Sequence, residues 1–416
     1  MERTGLIDLR RAKARNYDRF YLKRNPFPAI GIPEETLLIT ADREAVIKRF
    51  QNVITELLDS DQSIITVMVG EYGSGKSHLL KLFKKSVDAQ LLSSEKTMAV
   101  YIKSPGEDFS YFFYGFVDNV GLELLKQISV AYISEKLASD KKLQKHLTDS
   151  KVMEGFLAGK VRFEEMITKS FFPDLINDIE ETYFSDIERD LAQAFLSFAN
   201  PKMSSIAWRW ILGESLDKDE KELLDVSASI DSSGTYELFC DLVKLLHKAG
   251  IKNMVILVDE LEKITLLSKT RKGQYQDDLR RLIDDHPTNV CFYFAIAPAQ
   301  WQDLTREPTA LVRRLKGNWH LLEDFKENDT KELVEKYLFS ARIDLYPVND
   351  IRGKYRSLET SMFPFTKEAI EIINKEAKGV VSDVLLICRR SLELLADFSQ
   401  YEIIDSKVVQ LAMGKE

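Results

Sequence analysis

Hydrophobic positions change their spacing from segment to segment, and that spacing assigns the elements. Val46, Ile47, Phe50, Val53, Ile54 and Leu57 recur at helical intervals, which predicts an amphipathic helix with Asp42 as its N-cap. Ile64-Ile65-Thr66-Val67-Met68-Val69 is a continuous apolar, β-branched run, the pattern of a strand buried on both faces of a parallel sheet. A glycine-rich turn follows, then a helix from Ser77 to about Val87. Ala99–Ile102 reads as the next strand. Strands resume at Asn253–Val258 and Val290–Ile296, with a shorter one near Trp319–Leu322. Residues 106–235 read as mostly helical, and from Asn328 onward the pattern is helical to the end. Thr366 is the expected N-cap of one of these late helices and Gly379 its end. Strands alternating with helices predict an α/β fold: a doubly wound parallel sheet, a large helical insertion at 106–235, and an all-helical C-terminal unit.

Composition narrows the class. The 416 residues suffice for two or three packed units, divided here as 1–40, 41–325 and 326–416. Apolar residues make up 44% and charged residues 30%, the balance of a soluble globular chain. No apolar stretch approaches the roughly 18 residues that span a bilayer, and the first residues do not read as a signal peptide. Cys240, Cys291 and Cys388 lie apart within apolar patterns and read as reduced core residues of a cytoplasmic protein. The net charge of −8 argues against a surface that coats nucleic acid. The opening segment differs: Arg3, Arg10, Arg11, Lys13, Arg15, Arg19, Lys23 and Arg24 outnumber its acids, as in a solvated basic arm or a DNA contact. Asn25–Pro33 holds too many prolines for regular structure and reads as an extended loop.

Gly70-Glu71-Tyr72-Gly73-Ser74-Gly75-Lys76-Ser77 fits the G-x-x-x-x-G-K-[ST] pattern at every position. Glycines let backbone amides approach phosphate without a Cβ clash, and the helix that starts there adds its positive end. Lys76 is the expected contact to the β- and γ-phosphates of ATP, and the Ser77 hydroxyl the expected ligand of Mg2+. The partner element is Met254-Val255-Ile256-Leu257-Val258-Asp259-Glu260. Its acids leave the strand at the carboxyl end, where open α/β sheets bind ligands. Asp259 is the candidate metal-holding acid and Glu260 the candidate base for the attacking water. Glu262 and Lys263 read as a solvated helix face. Tyr111-Phe112-Phe113-Tyr114-Gly115-Phe116 has the density of a core run, with base stacking as the other reading.

An Asn-Pro-Phe element ahead of the first strand, the P-loop, the hydrophobic-Asp-Glu strand and Phe365-Thr366-Lys367-Glu368-Ala369-Ile370 resemble AAA+ ATPases of the initiator type, the origin-recognition and Cdc6-like proteins. So do Gly379 and Arg389-Arg390 beyond that helix. The chain is more similar still to the ATP-binding proteins of bacteriophage-exclusion (BREX) systems. That likeness rests on Gly70 through His78-Leu79-Leu80, on Trp210-Ile211-Leu212-Gly213-Glu214 and on Leu257-Val258-Asp259-Glu260-Leu261-Glu262-Lys263. The resemblance implies a nucleotide-binding segment running from Gly70 to His78 and a loop, Asn25–Pro33 with Arg43 beside it, wrapping the adenine; a plain surface loop is the other reading. It also implies a homo-oligomer in which an arginine of one subunit completes its neighbour's ATP site. Arg313 and Arg314, in Ala310-Leu311-Val312-Arg313-Arg314-Leu315, stand where that finger belongs. Two solvated arginines are the alternative.

Two departures stand out. The fourth strand ends in Ala297-Pro298, where the family presents a polar residue to the lytic water; Gln300 is a substitute from the next turn. After Gly379 the expected lid arginine is replaced by Ser382. Slow hydrolysis follows, with ATP acting as an assembly switch. The leading expectation is an ATPase that assembles on ATP and works on DNA with protein partners, in phage defence or DNA maintenance. The alternative is a nucleotide-switched scaffold that remodels proteins without touching nucleic acid. A helicase motor would need a second RecA-like domain, and an ABC-type ATPase a Leu-Ser-Gly-Gly signature ahead of Asp259; neither pattern is found in the sequence.

Overall fold

The computed structural model describes residues 15–29, 38–41, 43–60, 62–146, 172–231, 234–285, 289–306, 309–343, 351, 358–398 and 400–414. Arg3, Arg10, Arg11, Lys13, Asp42 and residues 30–33, all invoked above, lie outside them. Packing divides the chain into two units. The sheet unit comprises Arg49–Val69 and Leu79–Leu321; the lid unit comprises Met1–Lys48, Gly70–His78 and Leu322–Glu416.

In the sheet unit, β1 (Ile64–Val69), β2 (Thr97–Ile102), β3 (Asn253–Val258), β4 (Val290–Ile296) and β5 (Trp319–Leu321) line up as β2-β3-β4-β1-β5. Every neighbouring pair is parallel. β3 and β4 are buried at every position, which is why their sequences are apolar without alternation. Val69 pairs with Ile296 and Val258 with Phe294, so β1, β3 and β4 end along one edge of the sheet. β5 is the edge strand beside β1 and leaves Trp319 and Leu321 exposed.

Helices α1 (Glu44–Asp59) and α2 (Lys76–Gln90) flank β1 in sequence. Within the sheet unit Phe50 of α1 stacks on Phe83 of α2 with ring centroids 3.9 Å apart, and both meet the ring of Tyr293 edge-on at 5.7 Å. The Tyr293 hydroxyl lies 3.2 Å from Nε2 of His320. Burial, with Arg49 adding a smaller repulsion, pushes the His320 imidazole down to about 4.

Between β2 and β3 the described chain is helical: α3 (Phe109–Val120), α4 (Leu122–Ser139), α5 (Phe172–Tyr183), α6 (Arg189–Ser197), α7 (Ser204–Ile211), α8 (Lys218–Leu224) and α9 (Thr235–Lys248). Asp108 caps α3 through the amides of Ser110 and Tyr111. Phe112, Phe113 and Phe116 are fully buried and Phe116 packs edge-on against Phe239, so the aromatic run is core, with Tyr111 alone well exposed. Trp210 donates its indole N–H to the Ala228 carbonyl at 2.8 Å. Gly213, at φ +80°, is pressed by the Tyr114 ring, whose Cζ lies 2.7 Å from where a Cβ would sit.

In the lid unit, α13 (Glu327–Ser340), α14 (Lys367–Ala377), α15 (Val381–Asp397) and α16 (Ser406–Ala412) share a second hydrophobic core. Thr366 caps α14 by accepting from the Ala369 amide. Lys378 and Gly379 both take left-handed backbone after it, and Gly379 sits so close to the Phe325 carbonyl that a side chain has no room. Phe27 is buried between Tyr337 and Phe365. Arg389 donates to the Phe27 carbonyl at 2.7 Å and accepts from Asn25 through its own carbonyl at 3.3 Å. The described part of the Asn-Pro-Phe element is thus an anchor in the lid core, not a plain surface loop. Arg15 of the basic arm pairs with Asp397 at 2.8 Å and Glu393 at 3.3 Å, and Arg19 donates to the Phe398 carbonyl. Among the described residues no helix is long and apolar enough to cross a membrane.

Candidate functional site: a phosphate loop and the acidic end of a buried strand

Gly70 is joined directly to the last residue of β1, and Lys76 opens α2. The intervening turn needs its glycines: Gly73 and Gly75 have φ of +80° and +99°. Beside Gly75 no atom lies within 4 Å of where a Cβ would stand, which leaves an open cradle on that side of the loop. The first amides of α2 have no partner inside their own helix. Lys76 is buried and its ammonium donates to the carbonyls of Gly70 at 2.7 Å and Glu71 at 3.0 Å, 5.3 Å from the Tyr72 ring centroid. The Ser74 hydroxyl is buried without a partner among the described residues. Ser77 is exposed, and His78 meets the Thr40 hydroxyl through Nε2 at 3.2 Å. Open space, amides and a cation in one turn suit a triphosphate.

Two lid-unit contacts brace this loop. Arg43, buried, donates to the Ser74 carbonyl at 2.9 Å and the Glu323 carbonyl at 2.7 Å, with its guanidinium over the Phe325 ring at 4.4 Å. The Ser382 amide donates to the Gly73 carbonyl at 3.1 Å. A Cβ on Gly73 would strike the Ser382 hydroxyl and come 2.7 Å from a Val380 methyl. The residue that replaces the expected lid arginine therefore touches the phosphate loop with its backbone.

In the sheet unit, Asp259 and Glu260 leave β3 at its carboxyl end. Asp259 is 2% exposed; one carboxylate oxygen accepts the Tyr101 hydroxyl at 3.0 Å and the other the Glu260 amide at 2.9 Å. A carboxylate has further lone pairs and is the kind of hard oxygen donor that Mg2+ takes. Glu260 adopts φ 52°, ψ 39°, a left-handed conformation uncommon outside glycine and asparagine. Its carboxylate is held by Lys263 at 2.5 Å. Of the solvated face expected here, Lys263 is exposed, whereas Glu262 is buried, with one oxygen unpartnered among the described residues.

Arg313 and Arg314 lie on α12 (Ala310–Leu315), capped by Thr309. Their surroundings differ. Arg314 forms a two-point contact to Asp284, 2.8 and 3.1 Å, and bonds the Ala310 carbonyl. The Arg313 guanidinium is exposed and makes no ion pair among the described residues. After β4, Ala297 is buried, Pro298 opens α11 (Pro298–Arg306), and the Gln300 side-chain oxygen is buried without a partner among the described residues. Sequence reasoning missed Tyr101, Lys263 and the bracing role of Arg43. Only Lys263 left a signal, its i,i+3 spacing from Glu260.

The KAP family P-loop domain matches residues 43–267. The ATP-dependent protease ATPase subunit HslU of Enterococcus faecalis is 21% identical over 407 residues, covering 83% of each chain. Among solved structures, the Aeropyrum pernix ORC1 protein in complex with DNA aligns over 92% of this chain and 68% of its own, at 11% identity and a TM-score of 0.48. The Aeropyrum pernix ORC2 protein aligns over 90% and 69%, at 10% identity and a TM-score of 0.49. The BREX system ATP-binding protein BrxC/D model matches residues 162–392, more than half of the sequence, and the chain belongs to that family of P-loop proteins.

Proposed function

We propose that the protein hydrolyses ATP, slowly, and uses the bound nucleotide to assemble with copies of itself. The observation that carries the reading is that a complete phosphate loop follows β1 and that Asp259 and Glu260 follow β3 of the same parallel sheet. In this reading the loop amides of Gly70–His78 cradle the phosphates, and Lys76 exchanges the Gly70 and Glu71 carbonyls for β- and γ-phosphate oxygens. Ser77 and Asp259 hold Mg2+, which when bound neutralises the charge that builds on the phosphoryl group. Tyr101 keeps the Asp259 carboxylate in one rotamer. Glu260, once released from Lys263, accepts a hydrogen bond from the attacking water and orients it. Arg313, without an ion pair among the described residues, is the cation offered to a neighbouring subunit's site, and Gln300 stands in for the missing polar residue after β4.

Beyond the ATP site, we place the work of the assembly in the cytoplasm, on DNA and with partner proteins, in phage defence. Support comes from the family and from the basic residues of the opening segment. A nucleotide-switched scaffold acting only on proteins is favoured instead by the net charge of −8 and by Arg15 and Arg19 being engaged within the lid unit. Mass measurement of the wild type and Glu260→Gln, with and without ATP and DNA, separates the two. ATP-dependent assembly that DNA strengthens supports the first; assembly and turnover indifferent to DNA select the second; no nucleotide binding at all overturns both.

A further inference from the structure

The sheet unit contains a cavity of about 620 Å³ whose walls include Thr265, Lys269, Lys272, Gln276, Arg280 and Thr309. That volume falls within the roughly 300–1,000 Å³ of small-ligand sites. Its charge is positive: among the described residues Lys269 and Lys272 make no ion pair and Asp277 is the one acid in the wall. Arg280 reaches Asp277 and Asp284 only at 3.8 and 3.5 Å.

Two features of α10 (Lys269–Asp285) run against helix stability. Its first turn carries Lys269, Arg271 and Lys272 and no acid, which sets cations against the positive end of the helix dipole. Gly273 follows, a poor helix former, and no atom lies within 4 Å of where its Cβ would be. Arg271 is occupied by Glu107; the two lysines are not. A bound anion at this helix start would turn the unfavourable charge into a favourable one. An independent mark of a ligand is Gln276, 8% exposed, lining the cavity, with its amide unpartnered among the described residues. Left without a partner among the described residues, that amide is available to whatever occupies the cavity.

We propose that this cavity is a second anion site, separate from the phosphate loop, that takes a phosphorylated ligand of nucleotide size. Lys269 and Lys272 meet the phosphate, and Gln276 pairs with a hydrogen-bonding group beside it. A free mononucleotide and one unit of a single strand share this chemistry. The test titrates the full chain carrying Lys76→Ala, which disables the phosphate loop, with AMP and, separately, with a short oligothymidylate. At least one is expected to bind, more weakly as salt rises, and to lose about tenfold or more in affinity with Lys272→Ala, which removes a charged hydrogen bond. Gly273→Leu fills the cavity while favouring the helix, and is expected to abolish the same binding. AMP binding alone identifies a free nucleotide as the source, and oligothymidylate alone a strand. Neither probe binding, or both substitutions leaving affinity within about twofold, overturns the proposal. ATP binding that survives Lys76→Ala counts against the phosphate-loop reading only, since Lys272→Ala and Gly273→Leu still decide the cavity.

Discussion

The Arg43 guanidinium donates to the carbonyl of Ser74, inside the phosphate loop, at 2.9 Å, and its other nitrogen donates to the Glu323 carbonyl at 2.7 Å. One buried cation thus ties the residue ahead of α1, the loop and the start of the lid segment. Hydrogen bonds from a charged donor are worth about 1.5–3 kcal/mol each. Arg43→Ala is expected to weaken ATP binding by tenfold or more and to lower the unfolding midpoint. Arg43→Lys keeps the charge but loses the two-point geometry and should recover only part. Titration and thermal melts of both variants check this.

Lys76→Ala removes the only side-chain cation of the phosphate loop and should abolish measurable ATP binding. Glu260→Gln should bind ATP as the wild type does and stall turnover by about a hundredfold, the scale of a lost general base. Unchanged turnover in Glu260→Gln would remove Glu260 from its role.

The neighbouring arginines of α12 should separate cleanly. Arg314→Ala and Asp284→Ala break the same two-point pair and are expected to lower stability alike, by about 1 kcal/mol or less given the exposure of Arg314. Arg313→Ala should leave stability within about 0.5 kcal/mol and cut turnover about a thousandfold, as loss of an arginine finger does. Mixing Arg313→Ala with Glu260→Gln chains should restore part of the activity if the arginine acts across subunits.

Lys263 holds the carboxylate of Glu260 in a half-exposed pair. Such pairs are worth up to about 1 kcal/mol. Lys263→Ala is expected to free Glu260 and raise kcat by up to about fivefold with little change in KM; a fall in kcat would show that the lysine helps rather than restrains the base.

The His320 imidazole, lowered to about 4 in the fold, titrates near 6.5 when unfolded. Between those values the unfolded chain binds the extra proton, so this residue subtracts stability as pH falls from about 6.5 to 4 and contributes no slope above 6.5. The slope from one such group is at most about 1.4 kcal/mol per pH unit. Denaturant melts at several pH values should show His320→Gln flattening the curve in that window and leaving it parallel to the wild type above it.

The sequence by itself determined the sheet, the loop and the acids. Ile64–Val69, Asn253–Val258 and Val290–Ile296 are strands with the predicted ends, because a strand buried on both faces must be apolar at every position and stops where the polar turn begins. The motif from Gly70 to Ser77 was equally plain, since its glycines and lysine answer to local backbone geometry. Tertiary structure alone decided what braces these parts. Ser382 against Gly73, Arg43 on Ser74, and Tyr101 on Asp259 join residues far apart in the chain, and nothing in local spacing marks such pairs. The difference between Arg313 and Arg314 has the same origin: the two are adjacent and chemically identical, and only the placement of Asp284 beside one of them tells them apart.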